Sequence, residues 1–292
     1  MTSPNLGTAT SRLNTDQAAW LESRGVVGPF RRLGGGFRTV VLESSAGFVV
    51  RIGRSPADGN TFSTEKQVMD AVRRFVDAEI PRPTLAEDGL PQFPHGAMVY
   101  PKLSGTSPTS ASRALARSAA SVLRQFHSVV TDIAAPQRMI DRGVVAALVR
   151  STGRCFTDAQ SHATERWQAD LGRFLAEKPP RCLIHGDFWH ANWLSTTDGR
   201  TLTGLLDFER CAMGLAHEDL APLRYLGESF RAAALDAYCE GTTGDPASLL
   251  AEVRMFDVLR ELRGLDWALR RPDAGEVDDA IEKVAEVVEN YG

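Results

Sequence analysis

The chain has 292 residues, 43% of them hydrophobic and 24% charged, which is enough for a sizeable core and unlike a disordered or fibrous polypeptide. Its formal net charge of −4 argues against a nucleic-acid partner and suits a cationic small molecule. Four widely spaced cysteines argue against a disulfide framework or zinc site. With no signal pattern and no membrane-length apolar run, the expectation is a cytoplasmic enzyme without a membrane partner.

Residues 1–12 read as a loose polar tail. A short helix is predicted over 14–23, with Asn14 as its cap. Strands are predicted near 30–33, 38–43 and 48–52, the last two joined by the turn Ser44-Ser45-Ala46-Gly47. The apolar spacing of Phe62, Val68, Met69, Val72 and Val76 predicts a helix over 61–76. Ile80-Pro81-Arg82-Pro83 is a stiff connector, and two further strands follow near 84–86 and 97–100. The breaker-rich stretch 101–108 reads as a hinge.

Beyond the hinge, helical periodicity dominates. Leu115, Ala119, Val122, Phe126 and Val130 fall on one face, and Trp167, Leu171, Phe174 and Leu175 do the same before Pro179-Pro180. Leu249, Val253, Phe256 and Leu259 mark another helix, and Val277, Ile281, Val284 and Val288 the last. The resulting expectation is an α+β chain: an antiparallel sheet lobe over 1–100, a hinge over 101–108 and a larger helical lobe over 109–292.

The chemistry concentrates in His185-Gly186-Asp187-Phe188-Trp189-His190-Ala191-Asn192, followed by Asp207. Apolar stretches flank it, and Thr197-Asp198-Gly199-Arg200 is a turn signal. A strand over 192–195, that turn and a strand leading to Asp207 would bring Asp187, Asn192 and Asp207 together. Phosphoryl transfer needs one carboxylate to orient an attacking hydroxyl and accept its proton, and two oxygen ligands to hold magnesium against the phosphates.

His-Gly-Asp-x-x-x-x-Asn resembles the catalytic loop of the aminoglycoside phosphotransferase family of small-molecule kinases. Gly214-Leu215-Ala216-His217-Glu218-Asp219-Leu220-Ala221 resembles that family's Gly-Asp-Pro-x-x-Asp-Leu-Ala. Leu33-Gly34-Gly35-Gly36-Phe37-Arg38-Thr39 is similar to its Gly-Gly-Phe-Ser-Asn loop, and Leu123-Arg124-Gln125-Phe126-His127 to its helix ending in Leu-His. The resemblance covers roughly Phe30 onward and is most specific from His185 to Ala221.

It implies a two-lobed protein-kinase-like fold and transfer of the γ-phosphoryl group of ATP or GTP to a hydroxyl of an antibiotic-like small molecule. Asp187 is the expected catalytic residue, and Asn192 and Asp207 the expected Mg2+ ligands. Gly35, Gly36 and Thr39 would cover the nucleotide phosphates, and Val99, Tyr100 and Leu103 would meet the purine. Arg51 stands where kinases usually carry lysine and would grip the α/β-phosphates, held by Glu65. His127 and His185 read as scaffold.

Glu209, Glu218, Glu228 and Trp189 are the acceptor-pocket candidates, with Asp219, Trp193 and Trp267 as further possibilities. Metabolic kinases of the same fold, acting on choline, homoserine or ketosamines, stay open, as does a nucleotide-binding pseudokinase. The missing Asp-Phe-Gly to Ala-Pro-Glu segment argues against a protein kinase. His190 and His217 suggest a zinc hydrolase, which would leave the glycine loop, Arg51 and Glu65 without a role.

Overall fold

A computed structural model describes residues 13–34, 38–56, 61–130, 135–177, 179–271 and 274–291. The tail at 1–12 and the loop glycines Gly35 and Gly36 lie outside the described residues. The chain opens with α1 (Thr15–Glu22), capped by Asn14 in a reciprocal box with Gln17. Strands β1 (Phe30–Gly34), β2 (Thr39–Ser44) and β3 (Phe48–Gly53) follow, then α2 (Phe62–Val72), β4 (Leu85–Glu87) and β5 (Ala97–Pro101). The five strands form one antiparallel sheet in the order β1-β2-β3-β5-β4.

Strand alternation gives this sheet two different faces. Val40, Leu42, Val50 and Val99 pack with Leu21 of α1. Val49, Met98 and Tyr100 join Val68, Met69 and Val72 of α2 in the main core. Arg51 stands two residues from Val49 and so shares its face, pointing an obligate cation at α2. That residue is buried, and so is Glu65 of α2.

The helical lobe comprises α3 (Arg113–His127), α4 (Arg142–Thr152), α5 (Asp158–Ala176), α6 (His217–Leu220), α7 (Glu228–Cys239), α8 (Pro246–Leu269) and α9 (Ala274–Glu289). Between α5 and α6 run four short strands: β6 (Cys182–Ile184), β7 (Trp193–Ser195), β8 (Leu202–Leu205) and β9 (Ala212–Gly214). Leu115, Phe126, Trp167, Leu171, Phe256 and Leu259 are all in the core that also takes up the inner face of the sheet. Each such side chain contributes about 1.5–3 kcal/mol of apolar burial.

Three expectations need correction. The second helix stops at Val72, because a tight turn closes Phe75 N–H onto the Val72 carbonyl while Arg73 reaches Asp70 and the Pro81 carbonyl. Val130 does not continue the α3 stripe: the helix ends at His127 under a Ser128 cap, and Val130 is 90% exposed. Asn192 ends a 3-10 turn over His190–Asn192 and does not belong to the strand.

The β7–β8 hairpin is tied to the sheet lobe and to the hinge. Glu79, just after α2, bridges to Gly204, while Thr106 of the expected hinge bridges to Ser195. These backbone bonds hold the active-site hairpin against the sheet lobe without any side-chain requirement.

Candidate active site

The loop after β6 is fastened from behind. Asp219, fully buried at the end of α6, accepts hydrogen bonds from the backbone N–H of His185 and of Gly186, each at 2.7 Å. Nε2 of His127 lies 3.1 Å from Asp219 Oδ2, and its Nδ1 lies 2.8 Å from the Tyr238 hydroxyl. Burial pushes the Asp219 carboxyl up, but the hydrogen bond and charge of His127, with the His185 amide, outweigh it and hold it below the usual aspartate value. His185 Nε2 lies 3.0 Å from the Leu206 carbonyl, joining the loop to the segment before Asp207.

Gly186 is required at its position. Its φ is +77°, and a Cβ there would sit 2.2 Å from the Arg210 carbonyl oxygen. Arg138 completes the clamp, donating to the carbonyls of Gly186 at 3.2 Å and Arg210 at 2.9 Å. An arginine at 186, the protein-kinase habit, has no room.

From this anchored loop Asp187 meets Asn192, whose Nδ2 donates to the Asp187 carbonyl at 3.0 Å and to Oδ2 at 3.2 Å. The Leu206 N–H donates to the Asn192 carbonyl at 2.9 Å, so Asn192 and Asp207 leave neighbouring ends of β7 and β8. Asp207 has φ +64°, the one positive φ among described non-glycine residues. That left-handed geometry is strained for aspartate and aims its carboxylate at Arg51.

Arg51 is the hub of the sheet-lobe side. Its Nη1 is 2.5 Å from Glu65 Oε2, its Nη2 3.1 Å from Asp207 Oδ1 and 3.8 Å from Glu209 Oε2. Burial disfavours the Arg51 charge, but Glu65 and Asp207 more than compensate and its pKa rises. Burial also raises the Glu65 carboxyl to about 7, with Arg51 opposing. Tyr100, opposite Val49 in the β3–β5 register, is pushed up to about 12 by burial, with Arg51 opposing. Thr39 lines a cavity of about 310 Å³ with Arg38, Glu65 and Glu209. Val99 is committed to the sheet, its carbonyl accepting from Thr84 at 2.8 Å, and Leu103 lies half-buried just past the strand.

A second cavity, of about 550 Å³, opens on the helical side and contains Asp187, Trp189 and Glu218. Two acceptor candidates lie elsewhere. Glu209, two residues past the left-handed Asp207, turns to Arg38, 3.3 Å away, on the sheet-lobe side. Glu228 begins α7, is 66% exposed and pairs with Arg231 beside a separate cavity. Asp219 faces the loop backbone and Trp193 is core. His217 is bound to Glu252 at 2.8 Å and stacks on Phe256, while His190 is depressed by burial.

Sequence reasoning missed the arginines of α8. Arg260 Nη2 donates to Asp187 Oδ1 at 3.1 Å and its Nε lies 3.3 Å from the Tyr225 hydroxyl. Arg263 donates to Glu218 at 2.9 Å, and Glu261 accepts from Arg224 at 2.7 Å. The signal was present: Phe256, Arg260, Arg263 and Trp267 recur at helical spacing and all line the second cavity.

The donor set suits magnesium. An asparagine amide oxygen and an aspartate carboxylate are hard ligands, and two of them leave room for phosphate oxygens and water. Among the described residues no group of three or more His, Cys, Asp or Glu side chains gathers to hold a metal alone.

A two-lobed kinase-like fold with a buttressed His-Gly-Asp loop points to a phosphotransferase. The model of the phosphotransferase enzyme family matches residues 29–256, and the chain belongs to that family. Comparison with curated protein sequences gives no match. Among solved structures, the GDP complex of wild-type aminoglycoside 2'-phosphotransferase-IIIa superposes with a TM-score of 0.80 at 17% identity, covering 97% of this chain and 100% of that one. Macrolide 2'-phosphotransferase type I gives 0.72 at 19% identity, covering 96% and 99%. ADP-bound aminoglycoside phosphotransferase APH(2'')-Ib gives 0.67 at 17%, covering 94% and 99%. At these identities the likeness concerns the fold. No helix among the described residues is long and apolar enough to cross a membrane.

Proposed function

We propose that this phosphotransferase moves the γ-phosphoryl group of ATP or GTP to a hydroxyl of an antibiotic-like small molecule in the cytoplasm, inactivating it. The observation that carries this reading is the chain of contacts from Asn192 to Asp187 and from Arg51 to Asp207, joining a base and a phosphate grip along one cleft. Asp187 orients the acceptor hydroxyl and takes its proton as the oxygen attacks the γ-phosphorus. The bond from that phosphorus to the β-phosphate oxygen breaks, and the nucleoside diphosphate leaves. Arg51, positioned by Glu65, offers its guanidinium to the α/β-phosphates, and the backbone at Thr39 covers them.

Asn192 and Asp207 would hold magnesium, which when bound neutralises charge on the donor's oxygens. Arg260 keeps the Asp187 carboxylate in one orientation; burial disfavours the arginine's charge, but Asp187 and Tyr225 raise its pKa overall. The Trp189 edge and Tyr225 form an apolar wall beside the base, their rings 6.2 Å apart.

The test is a nucleotide-consumption screen over hydroxylated antibiotics with ATP and GTP, followed by product mass. One added phosphoryl group, lost on magnesium removal, is expected. A magnesium-replete protein that binds nucleotide yet phosphorylates nothing would contradict transfer. A sensitive host carrying the gene should survive the compound that the screen returns.

A further inference from the structure

The cavity holding Asp187 has an unusual charge balance for a polyamine site. Four arginines line it, Arg138, Arg210, Arg260 and Arg263, against the three carboxylates Asp187, Glu218 and Glu261. Each carboxylate already has an arginine. Arg260 takes Asp187, Arg224 takes Glu261, and Glu218 lies between Arg263 at 2.9 Å and Arg138 at 3.5 Å. Glu218 and Glu261 keep side-chain exposures of only 4% and 7%, so neither carboxylate faces open solvent where an ammonium could reach it. An incoming ammonium would have to displace a guanidinium from a carboxylate that is itself buried, which is costly.

The positive side is the under-compensated one. Burial lowers the Arg263 pKa, and Arg138 and Arg210 add to the fall while Glu218 opposes it. The Arg210 side chain is 46% exposed, and its Nε lies a loose 3.9 Å from Glu209. Arg263 is 34% exposed. The same cavity is also lined by the large side chains of Trp189, Tyr225, Leu259 and Trp267.

We propose that the acceptor is an alcohol with an apolar body and a carboxylate, the carboxylate seated on Arg263 and Arg210 while the hydroxyl meets Asp187. This deepens the phosphotransferase reading above and rests on it. Arg260 and Arg263 are neighbours on α8, with Cβ atoms about 5–6 Å apart, so a hydroxyl at Asp187 and a carboxylate at Arg263 fall within the span of one substituted ring. Aminoglycosides, being polyamines, are the wrong charge class for this cavity.

The probe is a matched series: 4-(hydroxymethyl)benzoate, 4-(hydroxymethyl)benzamide and 4-(aminomethyl)benzyl alcohol, titrated against the nucleotide-loaded protein by tryptophan fluorescence. The carboxylate is expected to bind at least about tenfold tighter than the amide, with the amine weakest, as charge-assisted hydrogen bonds to arginine require. Arg263→Gln should bring the carboxylate to the amide's level. Arg210→Gln, at a more exposed position, should close part of the gap even if the first variant folds poorly. An amine that binds as well as the carboxylate, a carboxylate without saturable binding, or Gln variants that preserve the gap would overturn the proposal. Nucleotide affinity and transfer in the acceptor screen are read separately. Intact transfer with reversed charge preference sinks this inference alone, whereas lost nucleotide binding sinks the phosphotransferase reading.

Discussion

The two sides of the cleft carry opposite charge balances. On the sheet-lobe side, Arg51 and Arg38 face the three carboxylates Glu65, Asp207 and Glu209. On the helical side, four arginines face three carboxylates. A surplus carboxylate beside an asparagine amide suits a divalent cation and its polyphosphate. A surplus guanidinium over aromatic walls suits an organic anion. Net charge and local charge thus differ: the chain carries −4 overall, while the cavity beside Asp187 is lined by more arginines than carboxylates.

Both sides depend on the loop between them, so the largest effect should come from its anchor. Asp219→Asn leaves two backbone N–H groups and His127 facing a poorer partner, and should cost about 3–5 kcal/mol in denaturant unfolding. The pH dependence has a definite sign. The Asp219 carboxyl is held below its ordinary 3.8, so its contribution is present above about that pH and fades as pH falls through the lowered value. The gap between wild type and Asp219→Asn should therefore be full at neutral pH and close on strong acidification. A gap that widens in acid would break the anchor assignment.

Gly186→Ala should come next. The added Cβ meets the Arg210 carbonyl at 2.2 Å and the φ of +77° is strained for alanine. A loss of about 1–3 kcal/mol is expected, with a fall in transfer from both sides of the cleft at once. Unchanged unfolding in this variant would show that the loop has slack.

Arg51→Ala separates the two sides. It should raise the nucleotide KM by about ten- to a hundredfold, the value of a lost charge-assisted contact, and lower kcat, while leaving acceptor binding little changed. Arg51→Lys should recover part of this, because the charge returns without the fork. Glu65→Gln should hurt less, and the double variant should fall short of the summed single effects. The smallest effect belongs to Glu228→Gln. At 66% exposure and beside a separate cavity, it should change stability and transfer by no more than about 0.5 kcal/mol.

What could be read in advance follows contact range. Asp187, Asn192 and Asp207 lie within one short stretch of chain whose turn chemistry brings them together, and the sheet follows from alternating apolar strands. Asp219 was matched in the family-like tail but taken for a pocket acid, because spacing cannot say which way a buried carboxylate points. Which side of the chain Glu209 faces was not legible, because its partners Arg38 and Arg51 come from the distant sheet lobe. The helical spacing of Arg260 and Arg263 is legible, but their pairing is not, because their partners Asp187 and Glu218 come from elements remote in sequence. Helix α7 lacks an evident stripe because it packs against α3, α8 and the preceding 3-10 segment, which spreads its apolar positions around its surface.

The central claim is that Asp187 is the base for phosphoryl transfer, and it is tested most directly by Asp187→Asn with nucleotide affinity and transfer measured on the same preparation. The account predicts that mass-detected transfer to the acceptor returned by the screen falls about 10²- to 10⁴-fold while the nucleotide Kd stays within about threefold of wild type. Near-normal transfer in Asp187→Asn would contradict it.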